Sequence, residues 1–292
     1  MTAPILGSTP SAVILRQMQK IIFWTLSGLV SGGAYAQGMI ANLISQQQQI
    51  QSGRELFVLH CAGCHGMDAQ GAGPAAPMLS PKPRNLVTGS FRFRSTPAGS
   101  LPTWDDLLRT LDRGVIGTSM PSFREMSSSQ KNALVAYIRS LRPDWKSLQS
   151  DPVFLPPVPR EIFGTKATLL ASAYRGRKLY EEACLTCHGD KGHGDGPSAE
   201  GLLNETEEPI QPRNLAQLTI KSGAGAADLF RAITTGLDGT PMPSFLDVYT
   251  PDQRWDIVAY VMYLRGQTAG IYPADLVLAP PSAPSKTKKA AL

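Results

Sequence analysis

Two five-residue segments, residues 61–65 and 184–188, share the pattern Cys-x-x-Cys-His. Two thiols at this spacing, followed at once by an imidazole, are the attachment signature of c-type haem. The thiols bind haem as thioethers, and the adjacent histidine binds the iron from one side. The chain has four cysteines, all within these segments: Cys61, Cys64, Cys184 and Cys187. We therefore expect two covalently attached haem c groups, and no disulfide.

Two other uses of paired cysteines are less consistent with the spacing. Zinc ribbons also contain Cys-x-x-Cys pairs, but these lie about 15–20 residues apart as two halves of one site. Here the pairs are 123 positions apart, and each has its own histidine. A redox-active dithiol would be expected within a thioredoxin-like βαβ unit, and the chain has no such pattern. Haem attachment is favoured.

A methionine followed by proline lies at nearly the same distance after each of these histidines. Met120 is 55 positions after His65 and Met242 is 54 positions after His188, both within the context Gly-Thr-x-Met-Pro-Ser-Phe. A thioether sulfur is a standard axial ligand of haem iron and raises its reduction potential. Core methionines are the alternative. The recurrence favours ligation, so the predicted iron ligands are His65 with Met120 and His188 with Met242.

Two arginines, Arg84 and Arg213, occur in matching Pro-Arg-Asn-Leu segments. A guanidinium can bind a carboxylate through two hydrogen bonds, so we predict that both bind haem propionates; an exposed loop arginine is the alternative. Metal-bound histidine usually donates its second ring N–H to a nearby carbonyl. We expect that carbonyl in the glycine-rich loops at residues 71–74 and 194–197.

The sequence around the haem signature occurs as an internal repeat of two copies. Segments 53–57 and 176–180 match at an offset of 123, and segments 120–123 and 242–245 match at 122. The second copy has about six extra residues near 204–210, and length changes of this kind belong in surface loops. Two copies in 292 residues indicate two domains.

Apolar residues recur at helical spacing in both copies, and no stretch alternates as a strand would. Helices are predicted through residues 57–64, 107–111 and 134–141, with counterparts through 180–187, 229–233 and 257–264. Thr103 with Asp106 resembles a capping box, and Thr250 precedes a proline suited to the first helical position. Pro143 and Gly266 are the predicted stops of the last helices. The fold class is therefore all-α.

The composition divides the chain further. The first domain is predicted at 50–142, a proline-rich linker at 143–172, the second domain at 173–266, and a disordered tail at 267–292. Residues 152–159 contain four prolines, which favours an extended, semi-rigid spacer. The net charge is +5, and the propionates of two haems would reduce it. The sequence has no basic cluster of the kind that binds nucleic acid.

The first 36 residues have the pattern of an export signal. Arg16 and Lys20 precede an apolar run, and Ala34-Tyr-Ala36 is suited to signal peptidase. The alternative is an uncleaved anchor, because residues 21–44 are mostly apolar and long enough to span a bilayer. Either one predicts a periplasmic location, soluble or anchored to the outer face of the inner membrane.

These features together resemble the class I cytochrome c family in its tandem, dihaem form. The resemblance covers nearly all of residues 50–266 and depends on the haem signatures, the Met-Pro loops and the glycine and aromatic residues of the first helices. It implies domains whose first and last helices cross near the haem, and a redox carrier that docks through the exposed haem edge. Residues 91–94 and the proline-rich linker have no explanation in the single-domain members.

The expected function is electron transfer between respiratory or periplasmic redox partners, as a free shuttle or a fixed subunit of a membrane complex. The alternative is a dihaem enzyme of peroxidase type, in which Met120 or Met242 detaches and opens the iron. Two predicted ligands on each iron favour the carrier, and no catalytic residue is assigned. Whether the protein is an enzyme stays open at this point.

Overall fold

The computed structural model describes residues 37, 39–219, 221, 223, 225–273, 276 and 278–279. Their regular secondary structure is helical, apart from one isolated bridge between Leu203 and Pro209. The predicted all-α class is confirmed. The predicted signal peptide or anchor, residues 1–36, lies outside the described residues, as does most of the predicted tail. In the part of the chain that is described, no helix combines the length and hydrophobicity needed to cross a bilayer.

Each copy contributes four α-helices in the same order: a long first helix, a short helix with the haem signature, a middle helix and a last helix. The first copy also has a short 3-10 helix at Ala76–Met78. The first copy contains α1 (39–60), α2 (Ala62–His65), α3 (Trp104–Arg113) and α4 (Ser128–Ser140). Two short helices follow, α5 (Trp145–Leu148) and α6 (Arg160–Phe163). The second copy contains α7 (Lys166–Ala183), α8 (Leu185–His188), α9 (Ala226–Thr235) and α10 (Pro251–Thr268).

Four helices begin at a capping box, in which the N-cap side chain and the third helical residue bond each other's backbone N–H. The predicted box of Thr103 and Asp106 at the start of α3 is confirmed, and so is the start of α10 at Thr250. The other two boxes begin α4 at Ser127 and α7 at Thr165. An N-cap of this kind stabilises a helix by about 1 kcal/mol.

In both copies the first helix crosses the last at a glycine. A Cβ added to Gly53 of α1 would overlap the carbonyl oxygen of Ala133 in α4, and one added to Gly176 of α7 would overlap that of Asp256 in α10. The backbones therefore approach more closely than any larger residue allows. The crossing implied by the family resemblance is present in both domains.

The residues around each crossing form the core of that domain. Four positions after each glycine an aromatic ring packs on the last helix, Phe57 on Tyr137 at 5.2 Å and Tyr180 on Tyr260 at 5.0 Å between centroids. Leucines of α3 and α4 complete the first core, and the second is larger, with Phe230 stacked on Trp255 at 4.1 Å. These cores hold the helices that carry the haem signatures.

The structure differs from the sequence-based division at the edges of the second domain. Helix α7 begins at Lys166, inside the predicted linker, because Thr165 caps it there. The predicted helix stop at Gly266 is wrong, since α10 continues to Thr268. Beyond it, the ring of Tyr272 packs against Gly266, and Leu278 is buried. Within the predicted disordered tail, Tyr272 and Leu278 therefore pack on the core of the second domain.

We expect Gly176→Ala to lower the free energy of unfolding by about 1–3 kcal/mol, because the added methyl must displace the α10 backbone. Urea denaturation of the haem-loaded protein measures this. Gly63→Ala is the control, because no atom beyond its chain neighbours and its own helix backbone lies within 4 Å of the Cβ position at Gly63. It should not lower the free energy of unfolding, since alanine favours a helix over glycine by about 1 kcal/mol. Equal effects of the two substitutions would show that the crossing is not tight.

Candidate haem sites

The first haem signature opens onto a cavity of about 630 Å³ that also contains Met120. This volume lies within the range of about 300–1,000 Å³ that is common for cofactor pockets. Its wall includes Phe57, Cys61, Cys64, His65, Leu107, Leu111, Val115, Met120 and Ile138. The four residues predicted to attach and ligate the first haem therefore share one largely apolar cavity.

The helices place the members of each signature in the same way. The N–H of Cys61 donates to the carbonyl of Phe57 at 2.8 Å, and the N–H of His65 donates to the carbonyl of Cys61 at 2.8 Å. Gly66, with φ of +82°, then turns the chain away. In the second copy Cys184 and His188 repeat both bonds at 2.8 Å.

Each predicted iron-binding histidine is held by a backbone carbonyl. Nδ1 of His65 lies 2.9 Å from the carbonyl oxygen of Arg84, and Nδ1 of His188 lies 3.0 Å from that of Arg213. With the proton on Nδ1, the Nε2 lone pair is free for iron. The prediction that the acceptor carbonyl lies in the glycine-rich loops is therefore wrong. Gly71 instead packs against the Pro83 carbonyl, so that loop supports the segment that carries the acceptor.

Burial sets the protonation states of these groups. It lowers the pKa of both His65 and His188, which favours the neutral imidazole that binds a metal. Burial, with the neighbouring thiol of each pair, raises the pKa of Cys61 to about 11 and that of Cys184 to about 12. Without a cofactor these thiols stay protonated at neutral pH and are poor metal ligands by themselves.

The Met-Pro loops are braced by a threonine that sequence reasoning did not single out. Thr118 Oγ1 accepts the N–H of Met120 at 3.2 Å, and Thr240 Oγ1 accepts that of Met242 at 3.3 Å. Each hydroxyl also donates to the carbonyl at the start of its loop. The signal was present, because both threonines recur in Gly-Thr-x-Met-Pro-Ser-Phe.

The second signature lies against the second core. Cys184, Leu185 and Met242 all pack on the cluster formed by α7, α9 and α10. Cys187 follows in α8, where its N–H donates to the carbonyl of Cys184 at 3.2 Å. The predicted haem-attaching and iron-binding residues of the second copy therefore occupy positions equivalent to those of the first.

The two matched arginines have different neighbours. The Arg84 guanidinium pairs with Glu205 of the second copy, whereas Arg213 donates to the carbonyl of Thr219 at 3.3 Å. Burial and the charge of Arg92 lower the pKa of Arg84, and the paired Glu205 carboxylate opposes that shift, so the guanidinium stays charged at neutral pH. Among the described atoms, the buried Nε of Arg92 and that of Arg213 have no hydrogen-bond partner.

These unpaired nitrogens allow a test of whether haem fits. Arg92 lines the first cavity, and an unpaired buried guanidinium nitrogen there suits a haem propionate, because a carboxylate can satisfy it. The apolar wall suits the macrocycle, and the thiol, imidazole and thioether groups are haem donors. The donor set and the cavity fit haem c.

Each of the two copies matches a known family of cytochrome domains. The family model described as cytochrome c matches residues 50–142, and the model described as cytochrome C oxidase, cbb3-type, subunit III, matches residues 171–261. The cbb3-type cytochrome c oxidase subunit CcoP of Azospirillum sp. (strain B510) is 26% identical over 220 residues, which are 73% of this chain. The chain spans 62% of the length of that relative.

A solved structure is similar over most of its length. In the reducing HAO-like protein complex Kustc0457/Kustc0458 of Kuenenia stuttgartiensis, one chain matches with 35% identity and a TM-score of 0.67. The match covers 73% of this chain and 95% of that one. The chain belongs to the class I cytochrome c family in its tandem, two-domain form. Cytochrome c domains bind haem c covalently and function in electron transfer.

Proposed function

We propose that the protein is a dihaem cytochrome that accepts electrons from one redox protein and passes them to another through two His/Met-ligated haems. The observation that carries this proposal is the equivalence of the two copies. In each, a histidine fixed by a backbone carbonyl and a methionine fixed by a threonine belong to the same domain. His65 and Met120 also line one cavity.

The proposed residue roles follow from these contacts. Cys61 and Cys64 attach the first haem, and His65 Nε2 and Met120 Sδ bind its iron. Cys184, Cys187, His188 and Met242 do the same for the second, and Arg84 and Arg213 are the proposed propionate contacts. Haem c supplies a one-electron Fe(III)/Fe(II) couple when bound. The protein orients the ligands, keeps water off the apolar face and leaves neither iron open to substrate.

The partners are proposed from the names of the relatives. A subunit of a cbb3-type oxidase and a chain of an HAO-like complex are both parts of larger redox assemblies. We propose that this chain also docks on a respiratory complex, either as a shuttle or as a fixed subunit. Each transfer oxidises the donor by one electron and reduces the acceptor by one electron, with no bond broken.

The proposed location is the periplasm, soluble or anchored to the outer face of the inner membrane. Cell fractionation with N-terminal sequencing tests this. A mature chain that begins at Gln37 supports a cleaved signal, and a membrane-bound chain that retains residues 1–36 supports an anchor. A haem-free chain in the cytoplasm would contradict both.

Peroxide reactivity separates a carrier from a dihaem peroxidase. The fully reduced haem-loaded protein is mixed with ferricyanide, a one-electron acceptor, or with hydrogen peroxide. We expect rapid reoxidation by ferricyanide and no sustained peroxide consumption, because both irons have two protein ligands. Met242→Ala opens one iron and should gain peroxide reactivity, which shows that the assay can detect an open site. Turnover of peroxide by the unaltered protein would favour the enzyme.

A further inference from the structure

The insertion that distinguishes the second copy forms a braced loop. Asn204 Oδ1 accepts the N–H of Thr206 at 2.9 Å and that of Glu208 at 3.0 Å. The Asn204 N–H donates to the Glu208 carbonyl at 2.9 Å, and Leu203 and Pro209 form the isolated bridge at its base. The loop over residues 203–209 therefore has a defined shape.

This loop lines part of the cavity of the other domain. Asn204, Glu205, Thr206 and Glu208 line the cavity that contains His65. The described wall has four basic side chains besides its histidines, and its two acidic side chains both come from this loop. The first haem site thus receives its carboxylates from the second domain.

Glu205 contacts the supports of an iron ligand in each domain. Its carboxylate pairs with the Arg84 guanidinium, and the carbonyl of Arg84 holds His65. Its backbone N–H donates to the carbonyl of Gly239 at 3.2 Å, and Gly239 begins the loop that carries Met242. Glu205 therefore connects the His65 side of the first site to the Met242 loop of the second.

A buried contact between the domains keeps the loop in place. Arg94, which is 0% exposed, donates through one nitrogen to the Thr235 carbonyl at 2.9 Å and to Asp238 Oδ1 at 2.7 Å. Asp238 also accepts the N–H of Gly99 at 2.9 Å. These bonds fix α9 and the segment after it against the first domain, so the position of Glu205 is a property of the fold.

We propose that Glu205 is a positioning residue for the first haem site and lowers the reduction potential of the first haem from the second domain. The inference deepens the proposed function and rests on it. A carboxylate near an iron favours Fe(III), which has one more positive charge than Fe(II). By holding Arg84, Glu205 also fixes the segment whose carbonyl orients His65, and axial-ligand orientation and local hydrogen bonds tune the potential.

The test is a spectroscopic redox titration of full-length, haem-loaded Glu205→Gln, with the first haem assigned through Met120→His. We expect the equilibrium constant for reduction of the first haem to rise about tenfold, which is about 59 mV for a one-electron couple. Glu207→Gln is the matched control, because Glu207 belongs to the same loop, its side chain is exposed, and it makes no contact with Arg84 in the described structure. It should change that constant by less than about twofold.

A second variant separates charge from geometry. Glu205→Asp keeps the charge but shortens the reach to Arg84. We expect its equilibrium constant for reduction of the first haem to lie between those of Glu205→Gln and the unaltered protein. No rise with Glu205→Gln, or equal rises with Glu205→Gln and Glu207→Gln, would overturn the inference. If the inference about Glu205 fails but the unaltered protein still has two His/Met haems, the proposed function stands. Absence of such haems from the unaltered protein would instead overturn the proposed function.

Discussion

Replacing Met120 by histidine is expected to lower the reduction potential of the first haem by on the order of 100 mV, a fraction of the ~0.8 V that axial ligands span. Thioether sulfur favours Fe(II), whereas a second imidazole removes that preference. The haem should stay low-spin because both axial positions remain filled. A redox titration followed by visible absorption measures the shift, and the potential of the second haem should change far less.

Met126→Leu is the control for this substitution, because Met126 packs on the same core as Met120. It should leave both potentials unchanged, since a core methionine influences packing only. Met242→His should reproduce the effect at the second haem. If Met120→His moves neither potential while Met126→Leu lowers one, the distal ligand of the first haem has been misassigned.

Asp238→Ala is expected to lower the free energy of unfolding by about 3 kcal/mol, and to separate one unfolding transition into two. Removing one partner of a buried ion pair costs about 3–5 kcal/mol, because the remaining charge has no counter-ion. We expect a loss at the low end of this range, because the Asp238 side chain is 17% exposed. Arg94, fully buried on the other side, is the charge left behind. Urea denaturation, with a separate probe of each domain, measures both effects.

An exposed pair provides the comparison for Asp238→Ala. Asp144 lies 3.5 Å from Arg142, its side chain is 55% exposed, and it caps no helix through its side chain. Asp144→Ala should therefore cost less than about 1 kcal/mol. Equal losses for Asp144→Ala and Asp238→Ala would mean that the Arg94 contact does not hold the domains together. Arg113, 2.8 Å from Asp228, is a further contact between the domains that both variants keep.

Repetition made the internal architecture of each domain predictable. Matching features recur at offsets of 122–123, namely the two haem signatures, the two Met-Pro loops and the two glycines of the first helices. A structural role predicted for a residue in one copy could therefore be checked against its counterpart in the other. Helix starts were predictable because a capping box is a local pattern, as at Thr103 and Thr250. The carbonyl that holds His65 comes from Arg84, 19 positions away, and no spacing rule identifies it.

Contacts between the two copies could not be predicted in the same way. Residues 91–94 had no explanation in the sequence, and Arg94 proves to be a buried contact with Thr235 and Asp238, more than 140 positions away. The extra residues near Glu205 were expected to form only a surface loop, yet they line the cavity of the other domain. Neither segment has a counterpart in the other copy, so repetition gave no second observation of it.

The most direct test of the central claim is a stepwise reductive titration of the oxidised, haem-loaded protein followed by absorption spectroscopy. Two His/Met-ligated haems predict two electrons taken up per chain, low-spin spectra throughout, and an iron–sulfur charge-transfer band in the oxidised state. Met120→Ala and Met242→Ala should each remove about half of that band. Uptake of one electron per chain, absence of the band, or a band that survives both substitutions together would contradict the account.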